Sequence, residues 1–196
     1  MPYKKEDRKN NSPFFVLLSA IISHRTKDEI TEKVMQKIEG IVNGPEDLVQ
    51  MSQSELQKLL FPAGFYRNKA KILKDVAETI LNNYGGKVPD TLEELLKLRG
   101  IGRKTANLVI SEGYGKPGIC VDTHVHRISN RLGLVKTNHP EETEFELRNK
   151  MPVKYWNDYN WLMVNFGRTI CRPISPLCSK CPLNTDCPKI GVKKRR

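Results

Sequence analysis

An all-helical fold is predicted by two features of the sequence. Apolar side chains recur at three- and four-residue spacing along most of the chain, and the breaks between these runs carry residues that begin and end helices. No stretch shows the alternation of a half-buried strand. Residues 14–22 are apolar almost without interruption and read as a buried helix. Thr26 with Glu29 offers a capping box for a second helix, carrying Ile30, Val34, Met35 and Ile38, which Gly40 and Gly44 break. Ser52 with Glu55 offers another capping box. Residues 69–84 repeat apolar positions at Ile72, Val76 and Ile80 until Gly85 and Gly86 stop them. Thr91, Leu92, Leu95, Leu96 and Leu98 form a short helix opened by Asp90, and Ala106, Leu108, Val109 and Ile110 begin the next. Later helices are predicted at 125–134, 140–149 and 155–169, the last with Trp156, Tyr159, Trp161 and Phe166 at core-like spacing.

The segment Leu98-Arg-Gly-Ile-Gly-Arg-Lys-Thr-Ala-Asn107 is the most informative in the chain. Gly100 and Gly102 permit a backbone turn with positive φ between two helices, a helix–hairpin–helix arrangement. The N–H groups of such a hairpin and of the following first turn suit an anion, and a nucleic-acid phosphate fits that geometry. Lys104 falls in the first turn of the second helix, where Asp or Glu is the usual choice. The positive end of the helix dipole disfavours an ammonium there and favours the free amine that a nucleophile needs, with Arg103 adding to the effect. On these residues alone, Lys104 reads either as a phosphate contact or as a nucleophile.

Val121-Asp122-Thr123-His124 stands immediately before the run of 125–134. Asp122 is the natural N-cap of that helix. A carboxylate held by helix amides is also suited to stabilising a sugar cation or taking a proton from an amine, so cap and catalyst are compatible readings.

The C-terminal region holds Cys171, Cys178, Cys181 and Cys187 in a Cys-x6-Cys-x2-Cys-x5-Cys run, among Pro173, Pro176, Pro182 and Pro188. No signal-peptide pattern precedes them, so a reducing cytosol is expected and metal ligation is favoured over disulfides. Four thiolates suit tetrahedral zinc and a cubane iron–sulfur cluster equally. Cys120, between Ile119 and Val121, reads as an ordinary buried thiol. The 196 residues accommodate one large or two small domains, and no run is long and apolar enough to span a membrane. Lysine and arginine number 33 against 22 aspartates and glutamates, a formal net charge of +11 that favours a polyanionic partner. Lys193, Lys194, Arg195 and Arg196 form a solvated basic tail that adds nonspecific phosphate affinity.

These elements, in this order, resemble the endonuclease III family of base-excision DNA glycosylases. The resemblance covers 12–187 and is carried by Ser12-Pro13-Phe14, Leu17-Leu18-Ser19-Ala20, Gly64-Phe-Tyr-Arg-Asn-Lys-Ala70, the hairpin of 98–107, Val121-Asp-Thr-His124 and the four cysteines. It implies two all-helical domains flanking a DNA-binding cleft: a helical barrel domain of 13–115 with the helix–hairpin–helix motif, and a domain of 1–12 and 116–196 carrying Asp122 and the cysteine loop. It implies Lys104 as nucleophile, Asp122 as its catalytic partner, and Cys171, Cys178, Cys181 and Cys187 as ligands of a [4Fe-4S] cluster, which settles iron over zinc. DNA contacts are expected at Gly100, Gly102, Arg103, Thr105, Arg25, His124 and Lys180. The implied activity is that of a bifunctional glycosylase and abasic-site lyase of base excision repair, acting on double-stranded DNA through a lysine Schiff base and β-elimination. Oxidised or ring-saturated pyrimidines are the implied substrates, a monomer the expected state, and the cytoplasm, with nucleoid association, the expected location.

Two departures from the family are visible. Eleven residues precede Ser12, so the N-terminal helix of the family is expected to be shortened or missing. Arg25 stands where the family usually has the glutamine that fills the gap left by a flipped nucleotide; arginine is longer, charged and able to bond guanine bidentately. Two alternatives follow: a uracil or thymine mismatch glycosylase, and a noncatalytic iron–sulfur DNA-binding protein. Lys104 and Asp122 together speak against the second.

Overall fold

The computed structural model describes residues 12–196, and the expected loss of an N-terminal helix and the placement of 1–11 lie outside the described residues. The described residues are helical, and they divide into two compact units, one ending at Lys116 and the other Pro117–Arg196. None of their helices is long and apolar enough to cross a membrane.

The first unit is built around α1 (Pro13–Ser23), opened by Ser12, whose hydroxyl accepts from Phe15 N at 3.5 Å. Its run from Phe14 to Leu18 and from Ala20 to Ile22 is buried on every side, as a central helix must be. Each fully buried leucine or isoleucine contributes about 1.5–3 kcal/mol over an exposed one. Amphipathic helices surround α1: α2 (Asp28–Glu39) with Val34, Met35 and Ile38 inward, α3 (Pro45–Gln50), α4 (Gln53–Leu60) with Leu56 and Leu60, and α5 (Tyr66–Tyr84) with Leu73, Val76 and Ile80. The Ser52–Glu55 capping box of α4 is present, at 3.2 Å from Glu55 N to the hydroxyl and 2.8 Å from Ser52 N to the carboxylate. α6 (Leu92–Leu95) leads through a turn to α7 (Arg103–Leu108), which widens into a π-helical turn, Val109–Gly113, with Val109, Ile110 and Ser111 buried.

The second unit contains α8 (Thr123–Arg131), α9 (Pro140–Lys150) and α10 (Trp156–Thr169) around Ile119, Val121, Val125, Val135, Leu147 and Tyr159. Polar bonds fasten its entry strand-like segment: Gly118 N donates to Asn157 Oδ1 at 3.0 Å, and Asn160 Nδ2 donates to Cys120 O at 2.9 Å. Cys120 is buried, as expected.

Three local expectations need correction. Thr26 does not cap α2, whose N-cap is Lys27 without a side-chain bond; the Thr26 hydroxyl is taken by Lys69 Nζ at 2.7 Å and Gly64 N at 3.1 Å. Asp90 does not cap α6; Thr91 accepts from Glu94 N at 3.4 Å, and Asp90 pairs with Lys116 at 2.5 Å. In both cases a partner distant in sequence takes the side chain that local spacing assigned to a cap. Of the four aromatic residues on or next to the last helix, Tyr159 is buried and Trp156 packs on the small core, but Trp161 is 49% exposed.

Candidate active site

Around α7 the chain makes a turn before it makes a helix. Ile101 N donates to Leu98 O at 3.1 Å, and Gly100 within that turn has φ of +76°. The left-handed backbone favours glycine, and a Cβ there would stand 3.2 Å from the Ile72 side chain of α5, which would have to give by a few tenths of an ångström. Gly102 departs from the expectation of a second left-handed residue. It is the extended N-cap of α7, with φ −97° and ψ 173°, and a Cβ on it would meet nothing within 4 Å. Its carbonyl accepts from Ala106 N at 2.9 Å. Buried Thr105 and Ala106 anchor α7, and Asn107 Nδ2 donates back to Arg103 O at 3.0 Å.

Lys104, the second residue of α7, is exposed and lines a cavity of about 520 Å³ with Ile21, His24, Arg25, Lys69 and Gly100. His24 Nε2 lies 3.3 Å from Thr105 Oγ1. Desolvation of the ring, followed by the charges of Lys104 and Lys69, holds His24 below the usual histidine range. Arg25 has a left-handed backbone, φ +51°, and its guanidinium stands 5.5 Å over the ring of Phe65, itself left-handed at φ +57° and 63% exposed. Lys69 is 4% exposed, and its Nζ donates to Ile22 O at 2.6 Å and His24 O at 2.7 Å in addition to Thr26. Burial lowers it to about 8.

His24, Phe65 and Lys69 were not among the residues that spacing singled out. A signal existed for Lys69: the buried stripe of α5, Leu73, Val76 and Ile80, continued back by one turn falls on it, and a lysine on an apolar stripe needs acceptors.

In the second unit Asp122 is the N-cap of α8, its Oδ1 accepting from His124 N and Val125 N, each at 2.8 Å. His124 Nδ1 lies 3.2 Å from Arg127 Nη2, which donates to Cys171 O at 3.0 Å. Arg131, one turn further along α8, places Nη1 3.4 Å from Cys171 Sγ and donates to Arg172 O and Pro173 O, each at 2.7 Å. Lys180 is exposed at the end of a short 3₁₀ turn, Cys178–Lys180.

The four cysteines form no disulfide with one another and line one cavity together with Arg131, Phe166, Ile170 and Pro176. Among the described residues no three His, Cys, Asp or Glu side chains are grouped closely enough to hold a single metal ion. The loop has little else to order it. Along 171–196 only Pro176 is buried, and the 3₁₀ turn is its one regular piece. A segment with so small a core ordinarily depends on a covalent or metal staple. Four cysteines lining one cavity, beside an arginine that bonds one sulfur, are the soft sulfur donors an iron–sulfur cluster takes, so the residue types present fit that group.

Gly100, Lys104 and Arg25 thus share one cavity of the first unit, with Gly102, Arg103 and Thr105 on the adjoining hairpin and helix. Asp122, His124, Lys180 and the four cysteines belong to the second unit.

Residues 18–152 match the family model of the HhH-GPD superfamily base excision DNA repair protein. The chain is 48% identical to endonuclease III of Thermotoga maritima over 181 residues, covering 92% of this chain and 85% of that one. It is 36% identical to endonuclease III of Bacillus subtilis, covering 95% and 85%. Among solved structures it is similar to a trapped endonuclease III–DNA covalent intermediate, with TM-score 0.85, 36% identity and coverage of 91% and 84%. A thermostable thymine-DNA glycosylase is also similar, with TM-score 0.83, 27% identity and coverage of 94% and 89%.

Proposed function

We propose, because this chain belongs to the endonuclease III family within the HhH-GPD superfamily of base excision DNA repair proteins, that it frees oxidised or ring-saturated pyrimidines from duplex DNA with Lys104 as nucleophile and Asp122 as its carboxylate partner. The chain is a DNA glycosylase/lyase of base excision repair. The observation that carries the residue assignment is the place of Lys104: second in α7, directly after the left-handed turn at Gly100, on a cavity of a size that accepts a nucleotide.

A damaged nucleotide is weakly stacked and so leaves the duplex at least cost. The hairpin from Gly100 to Thr105 holds the phosphate backbone with its N–H groups. Lys104 Nζ, as the free amine, attacks C1′ of the deoxyribose; the bond to the base breaks and the base leaves with the electron pair. Asp122 offsets the positive charge that grows on the sugar. Loss of a proton from Nζ and opening of the ring give a Schiff base, a C2′ proton departs, and the 3′ phosphate leaves by β-elimination. Water then releases Lys104 and the unsaturated aldehyde.

Cys171, Cys178, Cys181 and Cys187 would hold a [4Fe-4S] cluster, which supplies four iron–thiolate bonds that fasten the loop and so present Lys180 and the basic tail to DNA. The partner is double-stranded DNA with damaged pyrimidines or abasic sites, and the working species is a monomer in the cytoplasm, associated with the nucleoid. Arg25, in the cavity beside Lys104, meets the base opposite the lesion. That residue, together with the likeness to a thymine-DNA glycosylase, supports a second reading in which uracil or thymine opposite guanine is the substrate.

The test is a time course on duplexes carrying one thymine glycol, one G·U or one G·T pair. Strand cleavage without alkali on the thymine glycol duplex, well ahead of the mismatches, is the expected result. Faster loss of the mismatched base moves the substrate to the second reading, and no product on any duplex contradicts both.

A further inference from the structure

The turn that carries Arg25 is held by more bonds than a surface turn needs. Lys69 reaches it from the first turn of α5, with its stem on the buried face of that helix. An ammonium has three donors, and all three are used on one turn: Ile22 O at 2.6 Å, His24 O at 2.7 Å and Thr26 Oγ1 at 2.7 Å. Ile22 O is among the last carbonyls of α1, which have no intrahelical donor and attract a cation. Thr26 Oγ1 accepts a second bond from Gly64 N at 3.1 Å. A Cβ on Gly64 would collide with Arg25 O, so the two turns lie back to back at a distance only glycine allows. Between these fastenings sits Arg25, a non-glycine residue in the left-handed region, a conformation that persists only where its surroundings over-determine it. Its guanidinium is then placed over Phe65, the residue that follows Gly64.

We propose that Lys69 is a positioning residue for recognition of the base opposite the lesion: its buried ammonium clamps the turn of 22–26 to α5 and thereby fixes where the Arg25 side chain stands. The proposal rests on the reading that Arg25 meets that base. A methionine or leucine at position 69 would fill the same space in the core while taking the ammonium donor from Ile22 O and leaving His24 O only the longer 3.4 Å bond from Thr26 Oγ1. The clamp therefore acts on the turn rather than on the packing of α5. Burial that lowers Lys69 to about 8 still leaves the ammonium as the main form at neutral pH.

The test uses the full-length protein with its cluster, at pH 7, as wild type, Lys69→Met, Arg25→Ala and the double variant. Two quantities are read: amide hydrogen exchange across 22–26 and at Gly64, and excision from duplexes with each of the four bases opposite the lesion. In Lys69→Met, exchange over those residues rises by about tenfold or more, the loss of a charge-assisted bond, while α5 and the second unit keep wild-type protection. The preference among opposite bases flattens as far as in Arg25→Ala, and the double variant flattens no further, because both changes remove the same contact. On the preferred duplex the single-turnover rate at saturating enzyme falls in Lys69→Met no further than it does in Arg25→Ala, since both changes remove the same contact.

Losses that multiply in the double variant, or a wild-type preference in Lys69→Met, overturn the clamp. A wild-type preference in Arg25→Ala overturns the Arg25 reading itself, and the exchange measurement then still shows whether Lys69 orders the turn. If Lys69→Met fails to fold, Thr26→Val removes the hydroxyl that both Lys69 and Gly64 use and gives the same pattern.

Discussion

Replacing Asp122 by asparagine and by alanine separates its cap from its charge. One carboxylate oxygen accepts from both His124 N and Val125 N at 2.8 Å, so the residue satisfies two of the donors that α8 leaves open at its N-terminus. Asparagine presents a carbonyl oxygen of the same reach and caps as well as aspartate, losing only the charge at the helix end, about 0.3–1 kcal/mol. Alanine leaves both N–H groups without that acceptor and costs about 1–2 kcal/mol. At about 2–4 °C per kcal/mol for a protein of this size, Asp122→Ala melts about 5 °C below wild type and Asp122→Asn about 2 °C below it. Activity does not follow that order. On the proposed role, both variants lack the negative charge that would offset the sugar cation, so single-turnover excision is expected to fall by about 10²–10³ in each. The assay is thermal unfolding beside single-turnover kinetics on one lesion duplex. Excision by Asp122→Asn within about threefold of wild type would show that Asp122 is a cap and nothing more.

Three further outcomes follow from the geometry. Cys178→Ser removes one of the four thiols that line the loop cavity, and the purified protein is expected to lose its visible iron–sulfur absorbance and its DNA affinity together; unchanged absorbance contradicts the iron assignment. Gly100→Ala forces a Cβ onto a backbone at φ +76° and 3.2 Å from Ile72, and is expected to cost about 1–2 kcal/mol by thermal unfolding, whereas Gly102→Ala, extended and open, is near neutral; equal losses would contradict the single-glycine turn. Burial lowers Lys69 to about 8 in the folded protein, from the ordinary lysine value of 10.5 that the unfolded chain keeps. The unfolded chain therefore holds more protons between those values, the cost of burying the ammonium is full below pH 8, and stability rises with pH through that window. The melting temperature of wild type minus that of Lys69→Met should grow from pH 8 to pH 10, and a flat or falling difference contradicts the burial of the charge.

What could be read from the sequence was whatever local spacing determines. The apolar run at 14–22, broken only by Ser19, the Ser52–Glu55 capping box, the Asp122 cap and the left-handed Gly100 are all decided within a few residues, and the structure bears each out. Thr26 and Asp90 were misassigned because Lys69 and Lys116, each distant in sequence, compete for the same oxygens. Trp161 shares the helical period of its neighbours, and only the narrow core of the second unit decides that its face of α10 stays in solvent. The π-helical turn of Val109–Gly113 has no mark in periodicity, since the preceding apolar positions suit an ordinary helix as well. At the candidate site, the hairpin and Lys104 were legible as a string, but their meeting with His24, Arg25 and Lys69 depends on how α1 and α5 pack, which no local pattern states.

Borohydride trapping tests the central assignment most directly. Wild type and Lys104→Ala are incubated with a duplex carrying one thymine glycol, reduced during turnover, and resolved for protein–DNA adducts. A covalent adduct with wild type alone, mapped to Lys104, is the predicted result, and it reports the Schiff base, the residue and the oxidised-pyrimidine substrate together. An adduct that persists in Lys104→Ala, or strand cleavage by wild type with no adduct, would contradict Lys104 as the nucleophile.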